Sequence, residues 1–576
     1  MSGVSPTEPI VLGVCAFTHD SAAALLVGGR LVGFVEEERL SGVKHTRAFP
    51  DLSVAWLLAQ AGIPATRVEH VGYNFRPHLY LTAVPTSASL LGRVDARGRA
   101  VARASSFTKV AWRTARRVRV LAQRFPAARI HTVAHHRAHQ LYAFDSSGFA
   151  DAAVLVADSL GESSTTTIAR AQTACPGRPV VRQVWRLRDP ASLGYVYGAV
   201  TEHLGWRRGD EEGTVMALAA TGDPQRFRAL FAQAIQIHGP GFRLDPGLVP
   251  VRVLSSRAAR LTPRFAAVSC PPRASDAPVQ QVHADLAAAL QERTEQVMLH
   301  LAGQARELTG ARRLCVGGGV AANCVAIGKV IDAGLFDEVA VPPAPGDAGT
   351  ALGAASAVHL TVSHLPLSGM AGACYLGPRF ALPRLDTSAW PSLRARPVDA
   401  DAVGQLADAL AAGLIVGVFR GRVEAGPRAL GNRSILASPL QPGVVARLND
   451  TVKVREPFRP FAPMVPAERA PEYFALRQDA PFMSAACQVT DLARQKIPSV
   501  VHTNGTARLQ TVTRVDNRFV HELLIAFGRR TGVPVLINTS LNVKGRPICG
   551  TPEMALACLA TTGLDALMIE DWWVTK

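Results

Sequence analysis

The sequence predicts a mixed α/β chain in which a duplicated N-terminal part precedes a second α/β domain. Three observations predict it. Short β-rich runs split by tight turns open the chain and return after residue 150. Two Gly-rich segments, each between an apolar run and a helical pattern, fall within residues 313–360. A stretch rich in Pro and Gly, Ser363 to Pro397, then leads into a C-terminal part dense in Arg-bearing motifs.

Taken in order, IVLGVCAF reads as a strand, THDS as a polar turn and AAALLV as a second strand. A hairpin turn at Gly28-Gly29 leads to a third, LVGFVEEE. The pattern returns as AAVLVADSLGE, STTTIARA and VVRQVWRL. Two openings of one kind describe duplicated halves facing a cleft, the actin/hexokinase-like nucleotide-binding (ASKHA) architecture. Val279 to Leu308 carries apolar residues at helical spacing. RRLCVGGGVAANCVAIGKVI reads as strand, Gly turn and helix, and VAVPPAPGDAGTALGAASAVHL repeats the device. The boundary within Ser363–Pro397 gives expected domains of residues 1–370 and 385–576. Beyond it, ADAVGQLADALAAG reads as a helix and LIVGVFRG as a strand.

Composition narrows the class. With 48% hydrophobic and 19% charged residues in 576, the chain reads as globular. No apolar run approaches the ~20 residues a bilayer needs, and the N-terminal stretch lacks a basic leader. Nine Cys without a CxxC pair argue against a disulfide framework and a Cys-based zinc site. The expected setting is cytoplasmic, with no membrane partner. The net charge is +17, yet only seven of the 62 basic residues are Lys. Arg suits bidentate phosphate recognition. The densest basic stretch, Arg93 to Phe125, holds a single acid, Asp95. It reads as a solvated helical face and loop in preference to an RNA site.

Four constellations carry chemistry. In VAHHRAHQ, His135 and His139 stand four apart, so a helix would present both imidazoles on one face. Two imidazoles need further ligands to hold a metal, and Asp158, at the end of AAVLVAD, and Asp347, in PGDAG, are the candidates. A two-His, two-Asp set suits iron, zinc or manganese. The second constellation is Gly317-Gly318-Gly319 before Asn323, echoed by Gly346, Gly349 and Thr350. Such turns let a phosphate approach backbone N–H groups, and Gly318, Gly319 and Asn323 are candidate nucleotide contacts. The third, GRVEAGPRALGNRSI followed by NDTVKVREPFRPFAP, gathers Arg428, Arg433, Lys453, Arg455 and Arg459 within about thirty residues. The fourth is PVLINTSLNVKGRPI, which places Asn538, Ser540 and Asn542 at and beyond a strand end, with Arg508 of HTNGTARLQTV as a candidate partner.

With these blocks in hand, the sequence resembles the O-carbamoyltransferase family of nodulation and antibiotic biosynthesis. The matching blocks include THDSAAALLVGGRLVGFVEEERLSGVKHTRAFP, HHRAHQLYAF, VADSLGE, SLGYVYGAVTEHLGW, GGGVAANC, PGDAGTALGAA, EAGPRALGNRSI, KVREPFRPFAP and INTSLNVKGRPI. They run in order from Thr18 to Ile548, nearly the whole chain.

The resemblance implies a first domain like the tRNA threonylcarbamoyl-transfer protein (TsaD/Kae-like), actin-like in fold. It would hold Fe2+, or another divalent metal, through His135, His139, Asp158 and Asp347. It implies a second, YrdC-like domain that makes carbamoyl-adenylate from carbamoyl phosphate and ATP, the ATP carried with Mg2+. Arg428, Lys453, Arg459, Ser484, Arg508, Asn538 and Ser540 match its binding positions, with Lys453 and Arg508 the expected catalytic groups. The acceptor would be a hydroxylated small molecule such as an antibiotic. His19, in the first turn, either hydrogen-bonds near the carbamoyl carbonyl and acceptor or only shapes the turn. One departure stands out: EEGTVMALA has Thr214 where the family usually shows Lys. An actin-like sugar kinase or ATPase would explain the halves but leave the C-terminal third idle. A basic RNA-binding protein would use Arg93 to Arg124.

Overall fold

The computed structural model describes residues 8–88, 97–175, 177–398 and 400–576. The chain forms two compact units. The first comprises residues up to Phe34 with Arg47–Ala373, and the second Val35–Thr46 with Cys374–Lys576.

Two five-stranded sheets dominate the first unit. One holds β1 (Ile10–Cys15), β2 (Ala22–Val27), β3 (Arg30–Glu36), β4 (His70–Tyr73) and β5 (Arg129–Thr132) in the order β3-β2-β1-β4-β5. The turn between β2 and β3 takes φ 57° at Gly28 and 83° at Gly29, a backbone that glycine adopts without strain. The other sheet holds β6 (Asp151–Gly161), β7 (Ser164–Cys175) and β8 (Arg178–Arg188), with strands Arg313–Gly317 and Glu338–Ala340 beyond β6. In each sheet the first strand lies in the middle, antiparallel to the second and parallel to the fourth. The repeated hairpin openings in the sequence therefore correspond to a repeated strand order. β1 and β2 are buried along their whole length, so they are apolar throughout instead of alternating.

Close helix packing positions the site. A Cβ on Gly353 would lie 1.8 Å from the Ala138 carbonyl, and one on Gly13 would lie 2.0 Å from that of Ala351. Only glycine lets helix Thr350–Val362 press its backbone against helix His135–Ser147 and β1. This approach brings Asp347, just before the first helix, to His135 at the start of the second.

The sequence reading carried the third strand through the Glu run. The strand ends at Glu36, and Glu37–Ser41 is a helix closed by Gly42 at φ 70°. The cause is Arg39, which is buried, pairs with Glu36 at 2.9 Å and donates to the Gly426 carbonyl at 2.6 Å. The basic stretch is one helix, Arg97–Arg124, and residues 93–96 lie outside the described residues. Lys109, Arg113, Arg116 and Arg119 face solvent as expected. Arg103 does not: it is fully buried on Asp189, which also pairs with Arg252 at 3.0 Å. A charge there is tolerated only because it is paired.

The second unit carries an eight-stranded mixed sheet. Its central strands Val416–Phe419, Arg433–Ala437, Leu536–Ser540 and Ala462–Pro466 are successive neighbours. Helices Ala402–Ala411 and Arg518–Thr531 pack an apolar face on it, and a larger core, including Phe419, Phe461 and Ile537, lies around the sheet. A two-stranded ribbon, Ala486–Gln488 with Thr506–Arg508, pairs Ala486 with Arg508. Among the described residues, no helix is long and apolar enough to cross a membrane.

Candidate functional site

In the first unit, His135 opens its helix and His139 follows one turn later, so both imidazoles leave the same face. Their Nε2 atoms are 3.1 Å apart. Asp347 Oδ1 lies 3.3 Å from His135 Nε2 and 3.8 Å from His139 Nε2. Asp158 Oδ2 lies 3.5 Å from His135 Nε2. All four residues are buried, and their ligand atoms lie within 4.8 Å of one another. Asp158 sits inside β6, where the pairing with β7 is interrupted between Ala157 and Gly161. Such an irregularity re-aims side chains. Gly319 N–H donates to Asp158 Oδ1 at 3.2 Å. Gly318 can make that turn because its φ is 87° and a Cβ would lie 2.3 Å from the Ala157 carbonyl.

Surrounding groups fix the imidazoles. His135 Nδ1 is 3.3 Å from the Asn74 carbonyl, a partner that leaves Nε2 free as a ligand. Phe75 stacks on the ring at 4.6 Å with 8° between planes. The His135 N–H donates to Glu162 Oε1 at 3.1 Å, placing a carboxylate at the helix start. Asn74 Nδ2 donates to Thr350 Oγ1 at 2.7 Å, and Thr350 donates to the Asp347 carbonyl.

The donor set fits a divalent cation. Ligands about 2.1 Å from one ion stand roughly 3–4 Å apart, and the separations from His135 to the other three groups and from His139 to Asp347, 3.1–3.8 Å, fall in that range. Two ring nitrogens at 3.1 Å need a proton or a cation between them. Electrostatics agree. Burial alone would lower the His135 pKa, yet Asp347 and Asp158 hold it well above the usual imidazole value. Burial would raise both carboxyl pKa values, and His135 holds both below the usual range. The cluster is built to retain positive charge.

His19 stands at its edge. Its Nδ1 is 2.8 Å from Asp20 Oδ2 and its Nε2 is 3.7 Å from Asp347 Oδ2, with 48% of the side chain exposed. Phe17 and Asp20 both take positive φ, 66° and 62°, so this is a strained turn of non-glycine residues. Burial lowers the His19 pKa, but Asp347 and Asp20 bring it up to about 9.

A second cluster lies in the second unit. Lys453 ends a π-helical turn, Leu448–Lys453, and the next residue, Val454, takes φ 45°. Turns of this kind and β-branched residues at positive φ gather at functional sites. Lys453 Nζ donates to Ser540 O at 2.6 Å, Ser540 Oγ at 3.2 Å, Asn542 Oδ1 at 2.6 Å and Asn542 O at 3.3 Å. Burial, then Arg455, lower its pKa to about 7. Burial, then Arg459 and Arg508, lower that of Arg455 to about 9. Burial and Arg508 lower that of His502 to about 4. These shifts describe buried, crowded cations that Glu456, 3.8 Å from Arg459, offsets only in part, an arrangement relieved by a further anion. Among the described residues, Arg508 Nε and Asn538 Oδ1 are buried without partners. Asn538 Nδ2 donates to Gln510 Oε1 at 2.7 Å and to the Ala429 carbonyl at 3.1 Å.

The structure thus brings His135, His139, Asp158, Asp347 and His19 together, and separately Lys453 with Ser540. Arg455, Arg459 and Arg508 form the cationic crowd beside Lys453. Arg428 and Ser484 are half-buried in loops of the same unit, Ser484 directly after Met483 at φ 54°. Asn323 caps helix Cys324–Asp332, accepting from Ala326 N–H at 3.0 Å, and its amide donates to Gln291 Oε1 at 2.9 Å. Thr214 is buried in a helix with an unpartnered hydroxyl. Sequence reasoning missed Asn74, Glu162 and Gln510. Glu162 lay within a block already noted, VADSLGE, whereas nothing in the sequence marks Asn74 or Gln510.

Comparison with known proteins follows this division. The model of the carbamoyltransferase N-terminus matches residues 10–356, and that of the carbamoyltransferase C-terminus matches residues 407–576. The Synechocystis sp. protein sll1178 is 34% identical, over 98% of this chain and 96% of its own. Nodulation protein NolNO of Sinorhizobium fredii is 34% identical, over 97% of this chain and 79% of its own. Among solved structures, component A of the Acidaminococcus fermentans (R)-2-hydroxyglutaryl-CoA dehydratase is similar at a TM-score of 0.31 and 12% identity, over 61% of this chain and 97% of that one.

Proposed function

The chain belongs to the carbamoyltransferase family, and on that premise we propose that it activates a carbamoyl group with ATP and transfers it to a hydroxyl of a small-molecule acceptor. The observation that carries the reading is the crowding of Lys453, Arg455, Arg459 and Arg508 in one unit while a separate His/Asp cluster occupies the other. An anion-hungry site suits phosphorylated substrates, and a second, differently built site suits a second step.

In the proposed activation step, carbamoyl phosphate is cleaved by water to carbamate and phosphate. A carbamate oxygen attacks the α-phosphorus of ATP, and pyrophosphate leaves with its bonding pair. Lys453, Arg459 and Arg508 neutralise the phosphoryl charge that develops, in a partly dry cleft where each contact counts for more. Arg428, Ser484, Asn538 and Ser540 orient the substrates. Carbamoyl-adenylate is the product, because AMP is a far better leaving group than an amide or hydroxide.

In the proposed transfer step, the acceptor hydroxyl oxygen attacks the carbamoyl carbon, AMP departs with the bonding pair of its ester oxygen, and the hydroxyl proton passes to the departing phosphate. His19 holds the hydroxyl or the carbamoyl carbonyl in place, with Asp20 fixing the ring. The backbone of Gly318 and Gly319 borders the adenylate phosphate. His135, His139, Asp158 and Asp347 would hold a divalent cation, iron being the proposed ion, which supplies Lewis acidity when bound. The acceptor is a hydroxyl-rich natural product, an antibiotic or a glycoside.

The test is to incubate the protein with carbamoyl phosphate, ATP, Mg2+, Fe2+ and a panel of hydroxylated acceptors. The products are read by mass spectrometry and nucleotide chromatography. Carbamoylated acceptor with AMP supports the proposal. Phosphorylated acceptor with ADP refutes it and points to a kinase.

A further inference from the structure

We propose that a cavity of about 510 Å3 in the first unit, distinct from the His/Asp cluster, is a binding site for a small phosphate ester. Arg76, His131, Arg137 and Arg178 line it, and among the described residues no Asp or Glu does. Each guanidinium is held in place by backbone carbonyls. Arg76 Nε donates to Thr132 O at 2.9 Å and Arg137 Nη1 to Val181 O at 2.7 Å. Arg178 donates to Ser363 O at 2.7 Å and to Leu360 O and Leu365 O at 3.2 Å. Carbonyls orient these groups; the carboxyl groups that act on Arg137 and Arg76, Asp145 and Glu162, are both pushed up by burial to about 7 and lie outside the lining, so three guanidinium groups border one space. Planar, oriented guanidinium groups match phosphate oxygens in pairs.

The apolar part of the lining decides between a bare ion and an ester. Val133, Val180 and Val358 face the same cavity, and its volume falls in the ~300–1,000 Å3 range of small-molecule sites. Inorganic phosphate would leave that wall in contact with water. An ester presents its phosphate to the Arg side and an organic body to the valines. Arg137 lies two residues after His135, and residues two apart on a helix face opposite ways. The cavity and the candidate metal cluster therefore use opposite faces of helix His135–Ser147. Occupancy on one face bears directly on the element that carries both imidazoles.

AMP is the probe, with inorganic phosphate as the comparison, measured by calorimetry on the full chain. The variants are Arg76→Gln with Arg137→Gln, and Arg508→Gln to disable the cationic cleft of the second unit. Arg76→Gln alone, whose guanidinium sits at the surface, serves if the double variant does not fold. The expected result is an AMP site that survives Arg508→Gln, weakens at least tenfold in the cavity variant, and prefers AMP to phosphate. AMP binding unchanged by the cavity substitutions would overturn the site. Equal affinity for phosphate would overturn its assignment to an ester.

Discussion

Asp347 Oδ1 lies 3.3 Å from His135 Nε2, although the two residues are more than two hundred positions apart in the chain. The contact exists because Gly353 lets two helices meet backbone to backbone. It places the Asp347 carboxylate within 3.8 Å of both imidazoles of the candidate metal cluster. Asp347→Asn keeps the shape and removes the charge. Metal content by elemental analysis should fall by at least tenfold after dialysis. Full occupancy in the variant would remove Asp347 from the ligand set.

Lys453 should be indispensable to activation. Lys453→Ala removes the cation caged by Ser540 and Asn542, and carbamoyl phosphate-dependent pyrophosphate release should drop by about 100-fold or more, the size typical of a lost electrostatic contact to a transition state. Pyrophosphate release within a few-fold of the parent would show that Lys453 only holds the strand end.

The lowered Lys453 pKa also predicts a proton balance. With a pKa of about 7 in the free protein, the amine is largely neutral above neutrality. A bound phosphate favours the ammonium and raises that pKa. Binding of carbamoyl phosphate near about pH 8 should therefore take up close to one proton, an uptake that fades below about pH 6, where Lys453 is already charged. Calorimetry in buffers of different ionisation heat reads this directly. No uptake at the higher pH, or the same uptake in Lys453→Met, would contradict the assignment.

The buried Arg103–Asp189–Arg252 group makes a stability prediction. Arg103→Met leaves Asp189 paired with Arg252 but removes the Arg103 hydrogen bonds to Asp189 and the Arg252 carbonyl, and should cost about 1–3 kcal/mol. Chemical denaturation of the first unit's transition measures it. A loss under about 1 kcal/mol would mean that Arg252 suffices to hold the charge.

The sequence made much of this legible, for definite reasons. His135 and His139 were readable because helix geometry turns a spacing of four into a shared face. Asp158 and Asp347 were readable only as candidates, since long-range contact depends on Gly353 and Gly13, whose role is invisible without the packed helices. The first two residues of the Glu37–Ser41 helix, Glu37 and Glu38, were read as strand because the Arg39 contact with Gly426 lies far along the chain. Arg103 was read as solvated because nothing near it in sequence announces Asp189 or Arg252. Lys453 was visible in its motif, but its cage of oxygens and its π-helical turn belong to tertiary structure.

The central claim is that activation and transfer are separate steps in separate units. Its most direct test is the Asp347→Asn protein assayed for both half-reactions, pyrophosphate release from ATP with carbamoyl phosphate, and carbamoyl transfer to an acceptor. The account predicts that pyrophosphate release persists while transfer falls by about 100-fold or more. Equal loss of both, or unimpaired transfer, would contradict it.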